Sequence, residues 1–156
     1  MKGYLKNEEE TKTALRHGDW LHTGDLAYYD ATEHFFIVGR LKELIKVNAL
    51  QVAPAELENI LKQYPKIADA AVIGIPDTQK GQVPFAFIVK RQNIKDDLTE
   101  EEVYNFIHSK VAKYKNLDGG VTFIDMIPYS AAGKILRKDL LQYYDEHLTR
   151  RNLKKT

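Results

Sequence analysis

Thr23-Gly24-Asp25 sets a carboxylate beside a glycine, where backbone can approach a ligand closely and Asp25 can accept two hydrogen bonds from a vicinal diol such as a ribose. Its plain alternative is a turn that closes a hairpin. Next along the chain, Gly39-Arg40-Leu41-Lys42-Glu43-Leu44-Ile45-Lys46 would, as a strand, put Lys42, Leu44 and Lys46 on one face. Two ammonium groups there suit phosphate oxygens, and they equally suit a solvated strand edge that resists sheet-to-sheet association. The third cluster is Pro128-Tyr129-Ser130-Ala131-Ala132-Gly133-Lys134-Ile135-Leu136-Arg137-Lys138. A lysine after a small-residue, glycine-ended loop can be projected as a point charge toward a phosphoryl group gaining charge. It is not a P-loop, because the first glycine of that spacing is missing and Ile135 stands where a hydroxyl would bind Mg2+. Alone, it is either a ligand loop or the basic start of a helix.

Other chemistries lack their residues. The 156 residues include no Cys, which excludes disulfides, thiolate zinc sites and thiol nucleophiles and is compatible with a cytoplasmic or other reducing compartment. His17, His22, His34, His108 and His147 show no metal-ligand spacing, and no G-x-S-x-G elbow supports a hydrolase. With 23 Lys+Arg against 22 Asp+Glu, no single-sign field points to nucleic acid. Charges interrupt every apolar stretch before it reaches membrane-spanning length. The first residues are polar rather than signal-like, the basic tail carrying Arg150, Arg151, Lys154 and Lys155 reads as a solvated terminus, and the last residues are not a peroxisomal S-K-L address.

These residues need elements to hold them. Residues 4–18 are expected to form a short helix with acidic groups early and Gly18 as a stop. Residues 25–29 and 34–38, separated by Asp30-Ala31-Thr32-Glu33, read as an aromatic-rich hairpin that needs a cover. A boundary is placed at the charged break, giving segments 1–39 and 40–156. Beyond it come two short strands joined near Asn48-Ala49. A helix then begins at Pro54, with Leu57, Ile60, Leu61 and Tyr64 on one stripe. Residues 70–75 and 85–89 are apolar strands, Thr99 and Glu102 form a capping-box signature, residues 121–125 form another strand, and a last helix starts near Arg137. The expected fold is α+β, with a three- or four-stranded sheet and packed helices, preceded by the hairpin.

In combination and in this order, the three clusters resemble the adenylate-forming enzymes: acyl-CoA synthetases, 4-coumarate–CoA ligases, beetle luciferases and peptide-synthetase adenylation domains. Asp19-Trp20-Leu21-His22-Thr23-Gly24-Asp25 is similar to the G-W-x-x-T-G-D block of that superfamily. Residues 39–56, ending Val52-Ala53-Pro54-Ala55-Glu56, resemble its hinge block, and residues 128–138 its closing P-x-x-x-S-G-K-I-L-R-K block. The resemblance implies the last hairpin of a large N-terminal adenylation domain, itself missing, followed by the mobile C-terminal lid. It implies ligase chemistry in which a carboxylic acid reacts with ATP to give an acyl-adenylate, and a CoA thiol then displaces AMP. Residue by residue, it implies that Asp25 and Arg40 bind the ribose, Lys42 lies at the hinge, and Lys46 and Gln51 face the site in the thioester-forming pose. Lys134 bridges ribose and α-phosphate in the adenylating pose. Mg2+ accompanies ATP at a site outside this chain.

Two departures from the pattern matter. Asn48-Ala49 stands where Lys-Gly is usual along the pantetheine tunnel, so a methyl narrows the CoA path and a charge is lost. Ala132 replaces a common Ser or Thr beside Lys134. Two alternatives follow: a binding or regulatory module that keeps the lid fold, and the lid of a luciferase-type monooxygenase.

Overall fold

The computed structural model describes residues 1–16, 20–92 and 97–147. It divides into two compact units, Met1–Lys42 and Glu43–Thr156.

In the first unit, Asn7 caps helix α1 (Glu8–Ala14) by accepting a hydrogen bond from the Glu10 N–H at 3.1 Å, and three glutamates occupy the first turn. The helix is shorter than expected. It ends at Ala14 because β1 (Leu15–Arg16) turns to pair antiparallel with β2 (Trp20–Leu21). Gly18, the expected stop, lies outside the described residues, as do His17, Asp19 and the basic tail. The aromatic hairpin forms from β3 (Asp25–Tyr29) and β4 (Phe35–Arg40), with Asp25 paired to Arg40 at its open end. Tyr28 stacks on Phe36 with ring centroids 5.0 Å apart, and Tyr29 meets Phe35 at 5.9 Å. Consecutive residues of these strands remain exposed, so neither hairpin face is covered within this unit.

The second unit is built on a sheet of five strands, where three or four were expected. Its order is β6-β5-β8-β7, and β9 also pairs with β8. The longest pairing is antiparallel, between β7 (Ile67–Asp77) and β8 (Gly81–Lys90). Alternate residues supply two cores. Ala70, Val72, Ala86 and Ile88 pack with Leu57 and Leu61 of α2 (Pro54–Leu61) and Val103 and Ile107 of α3 (Glu100–His108). Ala71, Ile73, Phe85 and Phe87 pack with Leu140 and Tyr144 of α4 (Arg137–His147). Burial on both faces explains why these strands read as continuous apolar runs.

The Thr99–Glu102 capping box is complete, and α3 leads to β9 (Gly120–Phe123), which runs parallel to β8. The two short strands expected around Asn48-Ala49 form the hairpin of β5 (Ile45–Val47) and β6 (Leu50–Val52), and the sheet reaches five strands because this hairpin joins β8 through the single register pair Val47–Gly81. So short a junction leaves no period-2 signature of its own. No helix among the described residues is long and apolar enough to cross a membrane.

Candidate functional site

Each unit carries its own part of the expected constellation. In the first, pairing across β3 and β4 brings Arg40 Nε within 2.8 Å of Asp25 Oδ1. The Gly24 carbonyl accepts from the Leu41 N–H at 2.9 Å, which starts a 3-10 turn over Leu41–Glu43 and leaves Lys42 exposed. Both members of the Asp25–Arg40 pair are partly solvated, so their attraction adds at most about 1 kcal/mol to stability. The chemical consequence is larger: an acceptor and a forked donor are fixed side by side at the end of a hairpin.

In the second unit, Lys46 and Gln51 are direct cross-strand partners on β5 and β6. Ile45, Val47 and Val52 point into the core while Lys46 and Gln51 are exposed, so the ammonium and carboxamide share the outward face. Asn48 and Ala49 form the two-residue connection, with φ of 49° and 63°. Left-handed conformations at both positions are the mark of a type I′ hairpin turn, which favours Asn first and Gly second. Asn48 fits. Ala49 carries a Cβ into a region that costs an ordinary residue about 1–2 kcal/mol.

Lys134 sits on a separate loop. The Ser130 N–H donates to the Lys134 carbonyl at 2.8 Å, the Lys134 N–H donates to Ser130 Oγ at 3.2 Å, and Tyr129 bridges to Ile135. Gly133 closes the turn with φ of 73°, a conformation that selects glycine. Both ends are pinned. Tyr129 Oη donates to Asp69 Oδ2 at 2.7 Å, and partial burial with that bond pushes the Tyr129 pKa up to about 12. At the other end, Arg137 Nη2 donates to Glu58 Oε1 at 2.8 Å, while its Nε lies 3.6 Å from Glu43 Oε2. The Lys134 side chain is exposed and has no partner among the described residues.

Glu58 and Asp69 stand outside the three clusters, and Arg137, although inside the third, gives no sign in the sequence of its pairing with Glu58. Glu58 is only 5% exposed, and its carboxylate also accepts from the Val72 N–H at 2.9 Å. Burial raises its pKa above the usual carboxylate value, against the pull of Arg137. The available signal was a lone glutamate adjoining Leu57 and Leu61 on the buried stripe of α2. The fold thus joins Asp25 to Arg40 and sets Lys46 beside Gln51, with Asn48 and Ala49 next to them. No described contact connects Lys134 with Lys46 or Gln51. Among the described residues no group of three or more His, Asp or Glu is placed to hold a metal ion.

Residues 56–134 match the model of the AMP-binding enzyme C-terminal domain. The chain belongs to that family. It is therefore the C-terminal portion of an adenylate-forming enzyme, and its α+β fold is that of the family. It is 50% identical to luciferin 4-monooxygenase of Photuris pensylvanica over 94% of this chain and 27% of the relative. It is 52% identical to 4-coumarate–CoA ligase 1 of Glycine max over 90% of this chain and 47% of the relative. The solved structure of ATP-bound MatB from Rhodopseudomonas palustris superposes with a TM-score of 0.83 at 30% identity, covering 93% of this chain and 28% of that one. The chain thus spans about a quarter to a half of the length of these relatives, and ligases and luciferases stand at similar identity.

Proposed function

We propose that this chain is the lid of an ATP-dependent acid–thiol ligase, acting with a large N-terminal domain that supplies the acid and adenine pockets. In the first step a carboxylate oxygen of the substrate attacks the α-phosphorus of ATP, the bond to the bridging oxygen breaks, and pyrophosphate leaves with Mg2+ held outside this chain. Lys134 supplies a fixed positive charge at the ribose and α-phosphate as charge shifts in this displacement. Asp25 accepts from the ribose hydroxyls, and Arg40 holds Asp25 in place while donating to the same sugar. Lys42 lies at the rotation point between the two poses.

In the second step the lid presents Lys46 and Gln51. A CoA thiolate attacks the acyl carbon, the acyl–phosphate bond breaks, and AMP departs. Asn48 and Ala49 line the thiol's approach. Ala49 keeps the left-handed turn of an Asn-Gly pair while adding a methyl, which leaves a path for pantetheine narrower by one carbon.

The observation that carries this reading is the Lys134 turn: clamped at both ends by buried or half-buried partners, yet ending in an ammonium group that no described residue of its own unit uses. A solvated basic helix start has no need of such clamps. The luciferase reading remains the second one, because it shares the adenylation step and rests on comparable identity.

The test is to join this chain to its large domain and supply acid, ATP and Mg2+ with CoA or with oxygen. A thioester formed with CoA, and no oxygen-dependent light, is the expected result. Light without thioester would replace the ligase reading with the monooxygenase one. Adenylation that proceeds equally well without this chain would favour a regulatory module.

A further inference from the structure

The hairpin that carries Lys46 and Gln51 is weakly built into the sheet. A two-residue turn closes on the pair Val47–Leu50, which makes that pair the hydrogen-bonded one and directs the Lys46 N–H away from β6. On that outer side, β5 has only one register pair with β8, Val47–Gly81. A backbone bond from the Asn48 N–H to the Lys80 carbonyl, 2.9 Å, holds the turn end. The Lys46 N–H is taken by a side chain: it donates to Gln82 Oε1 at 2.9 Å, across 36 residues of sequence.

Gln82 is half-buried on β8, beside Gly74 of β7, its register neighbour being Pro76. A Cβ at Gly74 on β7 would come within 3.0 Å of Ile45 Cγ2 and 3.4 Å of Gln82 Cδ. Glycine at 74 therefore gives room to the β5 core residue Ile45, whereas a Cβ there would only touch the Gln82 carboxamide. A β8 side chain thus stands in for a missing rung of the ladder, at the residue whose ammonium group faces outward.

We infer that Gln82 is a positioning residue for Lys46 and, through the hairpin, for Gln51. Its amide oxygen fixes the backbone from which the Lys46 side chain projects, so its loss loosens the second-step face and leaves the Lys134 loop unaffected. This inference rests on the proposed function insofar as Lys46 and Gln51 serve the second step. Its structural part stands on the Lys46 amide alone.

Two measurements separate those parts. In the 156-residue chain, Gln82→Met removes the acceptor at similar volume, and Gln82→Glu retains an acceptor oxygen. Hydrogen exchange of the Lys46 amide should accelerate at least 10-fold in Q82M and stay within about threefold of the unmodified chain in Q82E, with amides in the β7–β8 ladder unchanged. In the whole enzyme, acyl transfer from preformed acyl-adenylate to CoA should fall at least 10-fold in Q82M and recover in Q82E, while ATP–pyrophosphate exchange stays within twofold. An unaltered Lys46 amide in Q82M would overturn the inference, as would equal losses in both half-reactions. So would a loosened amide with normal transfer. A Lys46→Ala enzyme that transfers at full rate would instead refute the assignment of this face to the second step, whatever the amide reports.

Discussion

The aromatic hairpin of the first unit and the β7–β8 ladder of the second are both antiparallel pairs rich in large apolar residues, yet they solve opposite problems. In β7 and β8, alternate side chains enter two cores closed by α2 and α3 on one face and α4 on the other. In β3 and β4, Tyr29, Phe35 and Ile37 are 69%, 76% and 67% exposed. A two-stranded hairpin with no packed face is marginal in water. The second region supplies its own stability, whereas the first leaves its large apolar side chains unpacked within its own unit.

Hydrogen exchange of the chain by itself gives the broadest contrast. Amides of Ala71, Val72, Phe87 and Ile88 should exchange only through global opening, and those of Tyr28 and Phe36 at least about 10³-fold faster through local opening. Adding the large domain should slow the hairpin amides and leave the ladder unaltered. Equal protection in the two regions would remove the contrast.

The buried ion pair comes next. Arg137→Met leaves Glu58 without its countercharge and should destabilise the second unit by about 3–5 kcal/mol in urea unfolding at neutral pH. The pH dependence has a definite sign. Because burial raises the folded-state pKa of Glu58, the folded form binds more protons than the unfolded one just above the ordinary glutamate value, and stability falls as pH rises through that interval. Removing Arg137 raises that pKa further, so the variant's deficit should shrink toward acid pH. A deficit independent of pH would show that the loss is packing rather than charge.

The smallest expected effect concerns the turn between β5 and β6. Ala49→Gly relieves a left-handed alanine at the cost of a more flexible unfolded chain, for a net gain of about 0.5–1 kcal/mol. Thermal unfolding of the two proteins side by side checks it. If Ala49 were adapted to its conformation by packing, the substitution would lose stability instead.

These regions also differ in how openly the sequence displays them. The β7 and β8 strands, the stripe of Leu57, Ile60 and Leu61, and the Thr99 capping box announce themselves because burial and capping act over a few neighbouring residues. The same holds for the three motif clusters that carry Asp25, Lys46 and Lys134. The supports of those clusters are silent. Gln82 meets Lys46 across 36 positions and Arg137 meets Glu58 across 79, and no local period encodes such pairings. Both short strands around Asn48-Ala49 are legible, but their membership of the larger sheet is not, since one register pair, one side-chain bond and the bond from the Asn48 N–H to the Lys80 carbonyl attach the β5–β6 hairpin to β8 and the turn before it. The unexpectedly short α1 reflects the pairing of Leu15 and Arg16 with Leu21 and Trp20, a tertiary preference that local helix signals do not contain.

The most direct test of the account compares Lys134→Ala with Lys46→Ala in the whole enzyme, measuring each half-reaction separately. Lys134→Ala should lower ATP–pyrophosphate exchange by about 10²–10³ while transfer from preformed acyl-adenylate persists, as expected for removal of one charge-stabilising donor. Lys46→Ala should show the reverse selectivity. Exchange at the unmodified rate without the Lys134 ammonium group would contradict the assignment of this turn to nucleotide chemistry.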